Sequence, residues 1–104
     1  MAWAQLFVAG ILEVIWAYAM KQSDGFSRLS YTVITFAGMI ASFWLLALAM
    51  RLLPLGTAYA VWTGIGAAGA FVLGIALLGE SASPGRLIAA AMIVGGIVLM
   101  RVAP

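Results

Sequence analysis

The stretch "AGILEVIWAYAM", residues 9–20, decides the fold, because it is apolar throughout except for one carboxylic acid, Glu13. It belongs to an apolar run over 3–20, close to the ~20 residues that an α-helix needs to cross a hydrocarbon core of about 30 Å. Inserting an acid near the centre of such a helix costs roughly 2.5–3.5 kcal/mol, so Glu13 must face the protein interior or a watery cavity. The stretch therefore predicts a membrane helix that carries a functional acid.

The composition of the whole chain supports a membrane protein. Of its 104 residues, 66% are hydrophobic and only 8% are charged, whereas a soluble domain has about 45–50% apolar and about 25% charged residues. The mean hydropathy is +1.20. A chain with so few polar residues cannot cover its surface with polar groups in water, so the composition excludes a soluble enzyme.

The charged and titratable residues exclude several other functions. The formal net charge of +2 rests on five basic and three acidic residues, too few for the clustered basic face of a nucleic-acid-binding protein. There is no cysteine and no histidine. The sequence thus predicts no disulfide, no metal site, no cofactor and no nucleophile–base pair, and it leaves any proton chemistry to carboxylates.

Four apolar segments, separated by the charged residues, run roughly over 3–20, 30–50, 55–78 and 85–102. Because the backbone must satisfy its own hydrogen bonds in lipid, helices are the only sensible structure for so few spans. Pro54 precedes the third segment, at a helix start where its missing N–H costs little. The prediction is an all-α integral membrane protein, a single four-helix domain over 1–104.

The basic residues give almost no instruction about orientation. With four spans, Arg51, Arg101 and the N-terminal amine share one side, and Lys21, Arg28 and Arg86 share the other. The positive charges on the two sides are nearly equal in number, so the positive-inside rule sets no orientation and insertion in both orientations is favoured. Four helices alone cannot easily enclose a site, and many transporters pair inverted repeats around one. The chain's own partner is therefore predicted to be a second copy, in an antiparallel, dual-topology homodimer.

Helical spacing gives Glu13 its candidate neighbours. Trp16 lies one turn later on the same face and can donate its indole N–H or offer a π-face to a cation. On the third segment, Tyr59 and Trp62 share a stripe, and Trp62 is too deep to belong to the interfacial aromatic belt. Ser42, on the second segment, lines the same site unless it bonds its own helix instead.

Small residues mark two further places. The run "GIGAAGA" (64–70) predicts close helix packing and, at Gly64 and Gly66, a bend that serves as a pivot. It lacks the Lys-Ser/Thr ending of a phosphate loop. On the fourth segment, the residues that share one face for a tight crossing between two copies are Ala89, Met92, Ile93 and Gly96.

Three stretches carry a family resemblance: "LEVIWAYAMKQSDGF" (12–26), "ASFWLLALAM" (41–50) and "LPLGTAYAVWTGIGA" (53–67). With the length, they make nearly the whole chain resemble the small multidrug resistance family of four-helix bacterial transporters. Trp16 resembles the guanidinium-exporter subtype, since the subtype for polyaromatic cations usually has a small polar residue there. One departure lies in the fourth segment, where Ala89 replaces the first of two glycines that the family often places seven residues apart.

The resemblance implies proton-coupled export of guanidinium, or of small substituted cations, by an antiparallel homodimer in the bacterial inner membrane. It implies that Glu13 is the shared site for proton and substrate. It also implies that Trp16, Ser42, Tyr59 and Trp62 line the pocket and hold the carboxylates in place. The family's helix-three kink would fall at 64–66.

Three alternatives remain open. The same antiporter could export quaternary ammonium or aromatic cations. The chain could form an obligate heterodimer with a paralogue of fixed orientation, although the balanced charges argue against it. It could also be a membrane subunit that transports nothing, in which case Glu13 would tolerate mutation.

Overall fold

The computed structural model describes residues 1–104 and contains four α-helices: α1 (Ala2–Gln22), α2 (Leu29–Ala49), α3 (Leu55–Leu78) and α4 (Pro84–Val102). Each is long and apolar enough to cross a membrane. The predicted helix number and the all-helical membrane class are therefore confirmed. The helix bounds differ from the ranges expected from sequence by no more than two residues.

The turn between α1 and α2 is built around Ser23, which is fully buried. Its hydroxyl donates to the carbonyl of Met20 at 2.6 Å and accepts the backbone N–H of Phe26 at 3.0 Å. Asp24, Gly25 and Phe26 all have positive φ, at 51°, 70° and 67°, a left-handed region that glycine and aspartate enter more easily than most residues. This tight reversal places α2 antiparallel against α1.

Helix α1 is the centre of the fold, since it packs against both α2 and α3. The main buried apolar cluster lies among these three helices and consists of Leu6, Ala9, Leu46, Ala49, Ala58, Val61 and Trp62. Three of its seven members are alanines, which let the helix backbones approach closely.

Helix α4 lies beside α3 and has no buried residue. The chain measures 44 × 35 × 16 Å along its principal axes, so the helices form a flat layer rather than a closed bundle. Only 16 of 104 residues are buried, and large apolar side chains are exposed along all four helices. This surface suits contact with lipid or with another protein chain.

Contacts at the helix ends show which ends of the chain lie together. The Arg101 guanidinium lies 4.8 Å from the centroid of the Trp3 ring, so the two chain termini share one end. Lys21, Glu80 and Arg86 line one cleft at the opposite end. The two chain termini therefore lie on the same side of the membrane, as an even number of spans requires.

Candidate functional site

The Glu13 side chain of α1 lies against Gly66 of α3. A Cβ atom at residue 66 would overlap the Glu13 carboxyl group, so the missing side chain provides the space for the acid. Glu13 is half-buried, and its Oε1 is buried without a hydrogen-bond partner. A buried polar oxygen that accepts no bond is costly. A ligand that donates a hydrogen bond to this oxygen would remove that cost, and a proton there would remove the charge.

Trp16 lies one helical turn after Glu13 and also has an unpaired polar atom. Its indole Nε1 is buried and donates no hydrogen bond. The residue packs against α2 at Gly38, where an added Cβ would lie 3.0 Å from the Trp16 Cβ. The structure thus has a free acceptor and a free donor on neighbouring turns of α1, with Glu13 against α3 and Trp16 against α2.

Ser42 and Trp62 form a buried polar seam that joins α1, α2 and α3. The Ser42 hydroxyl donates to the carbonyl of Ala9 at 2.6 Å and accepts the Trp62 Nε1–H at 3.0 Å. In an α-helix the carbonyl of Ala9 also accepts the backbone N–H of Glu13. The seam therefore fixes the helical turn that precedes Glu13.

The Ser42 hydroxyl bonds another helix rather than its own. The bond to Ala9 crosses between helices, so the alternative of a bond within its own helix does not describe this residue. In the single chain, neither Ser42 nor Trp62 bonds the Glu13 carboxyl, because their donors are used within the seam.

Four aromatic side chains contact one another in a row that includes Trp62 of the polar seam. Trp16 meets Phe43 edge-on at 6.2 Å between centroids, Phe43 meets Trp62 at 5.6 Å, and Trp62 meets Tyr59 at 5.6 Å. The rings form a connected wall from α1 through α2 to α3. Tyr59 is the outermost of the predicted residues, with 53% of its surface exposed.

Phe43 is the site residue that the sequence reasoning missed. It bridges the predicted residues Trp16 and Trp62, and without it the two rings would not belong to one surface. The available signal was its position directly after Ser42. The next residue, Trp44, is also exposed and has no ring contact, whereas Phe43 has two. Composition alone does not separate these adjacent aromatic residues.

Gly64 and Gly66 each serve a close contact within an unbroken α3. A Cβ at residue 64 would lie 2.9 Å from Cδ1 of Ile97 in α4, while residue 66 faces Glu13. These contacts agree with the packing interpretation of the glycine run. The pivot role stays a prediction.

The small-residue face of α4 is open in the single chain. Ala89 and Gly96 are exposed, and a Cβ at residue 96 would have no neighbour within 4 Å. Ile93 is turned partly towards α3, with its Cγ2 3.5 Å from a Cβ placed at Gly64. The structure thus leaves Ala89 and Gly96 available for a contact outside the chain.

The assembled site has one carboxyl group, one free indole N–H and an aromatic wall. No three residues of the kinds that bind metals lie close enough to hold an ion. A carboxylate beside π-faces is suited to an organic cation that donates hydrogen bonds.

Comparison with known proteins agrees with this chemistry. The family model for "Small Multidrug Resistance protein" matches residues 1–93. The chain belongs to the small multidrug resistance family. A guanidinium exporter of Citrobacter freundii is 58% identical over 98 residues, which cover 94% of this chain and 93% of the relative. A guanidinium exporter of Yersinia pseudotuberculosis is 57% identical over 103 residues, or 99% of both chains.

Membership in the small multidrug resistance family confirms the resemblance inferred from the three quoted stretches. The relatives are exporters rather than enzymes, in agreement with the prediction for this chain. Together with four membrane-length helices, the family places the chain among multi-pass proteins of the bacterial inner membrane.

Proposed function

We propose that this protein exports guanidinium in exchange for protons, with Glu13 of two protomers as the shared site. The observation that carries the proposal is the Glu13 carboxyl, half-buried in a membrane helix with Oε1 lacking any partner. The identity of 57–58% with proteins named as guanidinium exporters supports the choice of substrate.

The chemistry of guanidinium fits the site. The ion is planar and weakly hydrated, and it can donate paired hydrogen bonds to a carboxylate. Its flat face can also lie against an aromatic ring, and Trp16, one helical turn after Glu13, packs with Phe43 in such a ring pair.

Competition between ligands would couple the two fluxes. Two Glu13 carboxylates in one low-dielectric pocket repel each other unless a proton or a cation offsets their charge. Either ligand then permits the change between inward-facing and outward-facing states, while the empty, doubly charged state is disfavoured. The polar seam of Ser42 and Trp62 would hold α1 in register during this exchange.

The second protomer would be an inverted copy of the same chain. Three features support this arrangement: the flat layer of helices, the open face of α4 and the near balance of basic residues between the two ends. In an antiparallel pair of identical chains, the inward-facing and outward-facing states can be one structure seen from opposite sides.

The test is guanidinium-driven proton movement in sealed liposomes, with wild type beside Glu13→Gln. We expect proton flux that depends on guanidinium in wild type and is lost in the variant, because the amide cannot exchange a proton. Asp24→Asn is the matched control, since it makes the same chemical change in an exposed turn, at a positive φ that asparagine tolerates. It should transport like wild type.

Other outcomes would redirect the proposal. Flux with tetramethylammonium in place of guanidinium would assign the site to quaternary ammonium ions, which aromatic walls also bind. No flux with either cation would contradict the exchanger and favour a heterodimer or a subunit that transports nothing.

A further inference from the structure

A second cleft opens between α1 and α3, at the end of the molecule that carries the 23–28 and 79–83 turns. Its volume is about 320 Å³. The polar residues at its rim are Tyr18, Lys21, Glu80 and Arg86. Neither the proposed exchange reaction nor the polar seam uses any of them.

Arg86 is held in place at this rim. Its guanidinium carbon lies 5.5 Å from the centroid of the Phe71 ring, and its Nε donates to the carbonyl of Ser81 at 3.0 Å. The two terminal nitrogens keep four further N–H donors for a ligand. A guanidinium that is oriented in this way can bind phosphate with two parallel hydrogen bonds.

The floor of the cleft is apolar and narrow. On α3 it follows one stripe through Ala67 and Ala70 to Gly74, where the Glu80 carboxyl lies against the glycine. On α1 it reaches Ala17. The stripe from residue 67 to residue 74 covers about 10 Å of helix, which is about a third of a ~30 Å hydrocarbon core. The Glu80 carboxyl thus lies at one end of a short apolar floor.

The rim combines two cations with one carboxylate. This balance disfavours the cleft as an entry route for a transported cation, because Lys21 and Arg86 would repel it. An anionic lipid would satisfy both cations but would leave Glu80 without a counter-charge. A choline headgroup carries the right charges, but its quaternary nitrogen has no N–H to donate to Glu80.

We propose that this cleft binds one phospholipid whose headgroup carries both a phosphate and a primary ammonium group, such as phosphatidylethanolamine. The phosphate binds Lys21 and Arg86, and the ammonium donates to the Glu80 carboxylate. One acyl chain enters along Ala67 and Ala70 of α3, beyond the Glu80 carboxyl. This site does not rest on the proposed transport function and can be tested apart from it.

Native mass spectrometry of the full-length protein, offered an equimolar mixture of phosphatidylethanolamine, phosphatidylcholine and phosphatidylglycerol, tests the proposal. We expect one phosphatidylethanolamine to be retained about tenfold over phosphatidylcholine, the effect of one charge-assisted hydrogen bond. Glu80→Gln should abolish that preference and raise the retention of phosphatidylglycerol, because no carboxylate is then left without a counter-charge. Lys21→Gln combined with Arg86→Gln should abolish the retention of all three lipids.

Arg28→Gln is the control, because it removes a basic residue at the same end but outside the cleft. It should retain lipid like wild type. Equal retention of the ethanolamine and choline lipids in wild type, or an ethanolamine preference that survives both cleft variants, would overturn the proposal. So would cleft variants that lose guanidinium transport with unchanged lipid retention, which would assign the cleft to the path of the transported cation.

Discussion

The three-helix group α1–α3 and the fourth helix have similarly apolar sequences, but the group contains the buried core and α4 does not. In the group, Ser42 joins Ala9 and Trp62 through buried hydrogen bonds, and the glycine at residue 66 is filled by the Glu13 carboxyl. Helix α4 has no buried residue, and its glycines at residues 95 and 96 face open space. Helices α1–α3 use their small residues for contacts within the chain, whereas this face of α4 makes none.

This difference separates two uses of glycine in a membrane helix. Where a functional side chain occupies the space beside a glycine Cα, the glycine sets the position of that side chain. A single methyl group added there disturbs the site. A glycine on an open face leaves room for another helix, so a methyl group there matters only when the partner is present. The predictions below test each region against the other.

The largest effect is expected at the filled glycine. Gly66→Ala places a methyl group in the volume of the Glu13 carboxyl and must displace the acid. A displacement of about 1 Å can cost about a hundredfold in a reaction that depends on position. We expect guanidinium-driven proton flux in liposomes to fall by about that factor.

Gly95→Ala is the matched control in α4, because its added methyl group meets no atom of the chain. It should transport like wild type. If the two variants behave alike, the contact between Glu13 and residue 66 does not set the position of the acid.

A smaller effect is expected on the open face, and on assembly rather than on the chain itself. Gly96→Leu adds bulk on the face that also carries Ala89, and overpacking of a close contact costs about 1–3 kcal/mol. The dissociation constant of the proposed dimer should rise by about fivefold to a hundredfold, as measured by energy transfer between labelled protomers in liposomes.

Gly95→Leu adds the same bulk one residue away, on a different side of the helix, and should leave dimerisation unchanged. Equal effects of both variants would contradict an interface through the Ala89–Gly96 face. No effect of either variant would indicate that α4 faces lipid.

The helices could be predicted from sequence because the membrane imposes one simple requirement. Each span must be long, apolar and helical, and the charged residues between the spans mark their ends. Pro54 was therefore sufficient to place one of the connections near its observed position.

The arrangement within the site was only partly predictable. The spacing of Glu13 and Trp16 on one helix placed them on one face, because a helix has a fixed period. The bond from Ser42 to Ala9 and the bridging ring of Phe43 depend on how different helices pack. Periodicity gives the face of each residue, whereas packing decides which faces meet.

The smallest effect is expected within the polar seam. Ser42→Ala removes the donor to Ala9 and leaves the Trp62 indole N–H without its acceptor. Hydrogen bonds between membrane helices contribute about 0.6 kcal/mol on average and rarely more than about 1.7 kcal/mol. We expect the free energy of unfolding, measured by titration with a denaturing detergent, to fall by about 1 kcal/mol.

Ser30→Ala is the control, at an exposed position near the start of the same helix, and should leave the free energy of unfolding unchanged. If Ser42→Ala also leaves stability unchanged but lowers transport, the seam serves the position of the Glu13 turn rather than the association of the three helices.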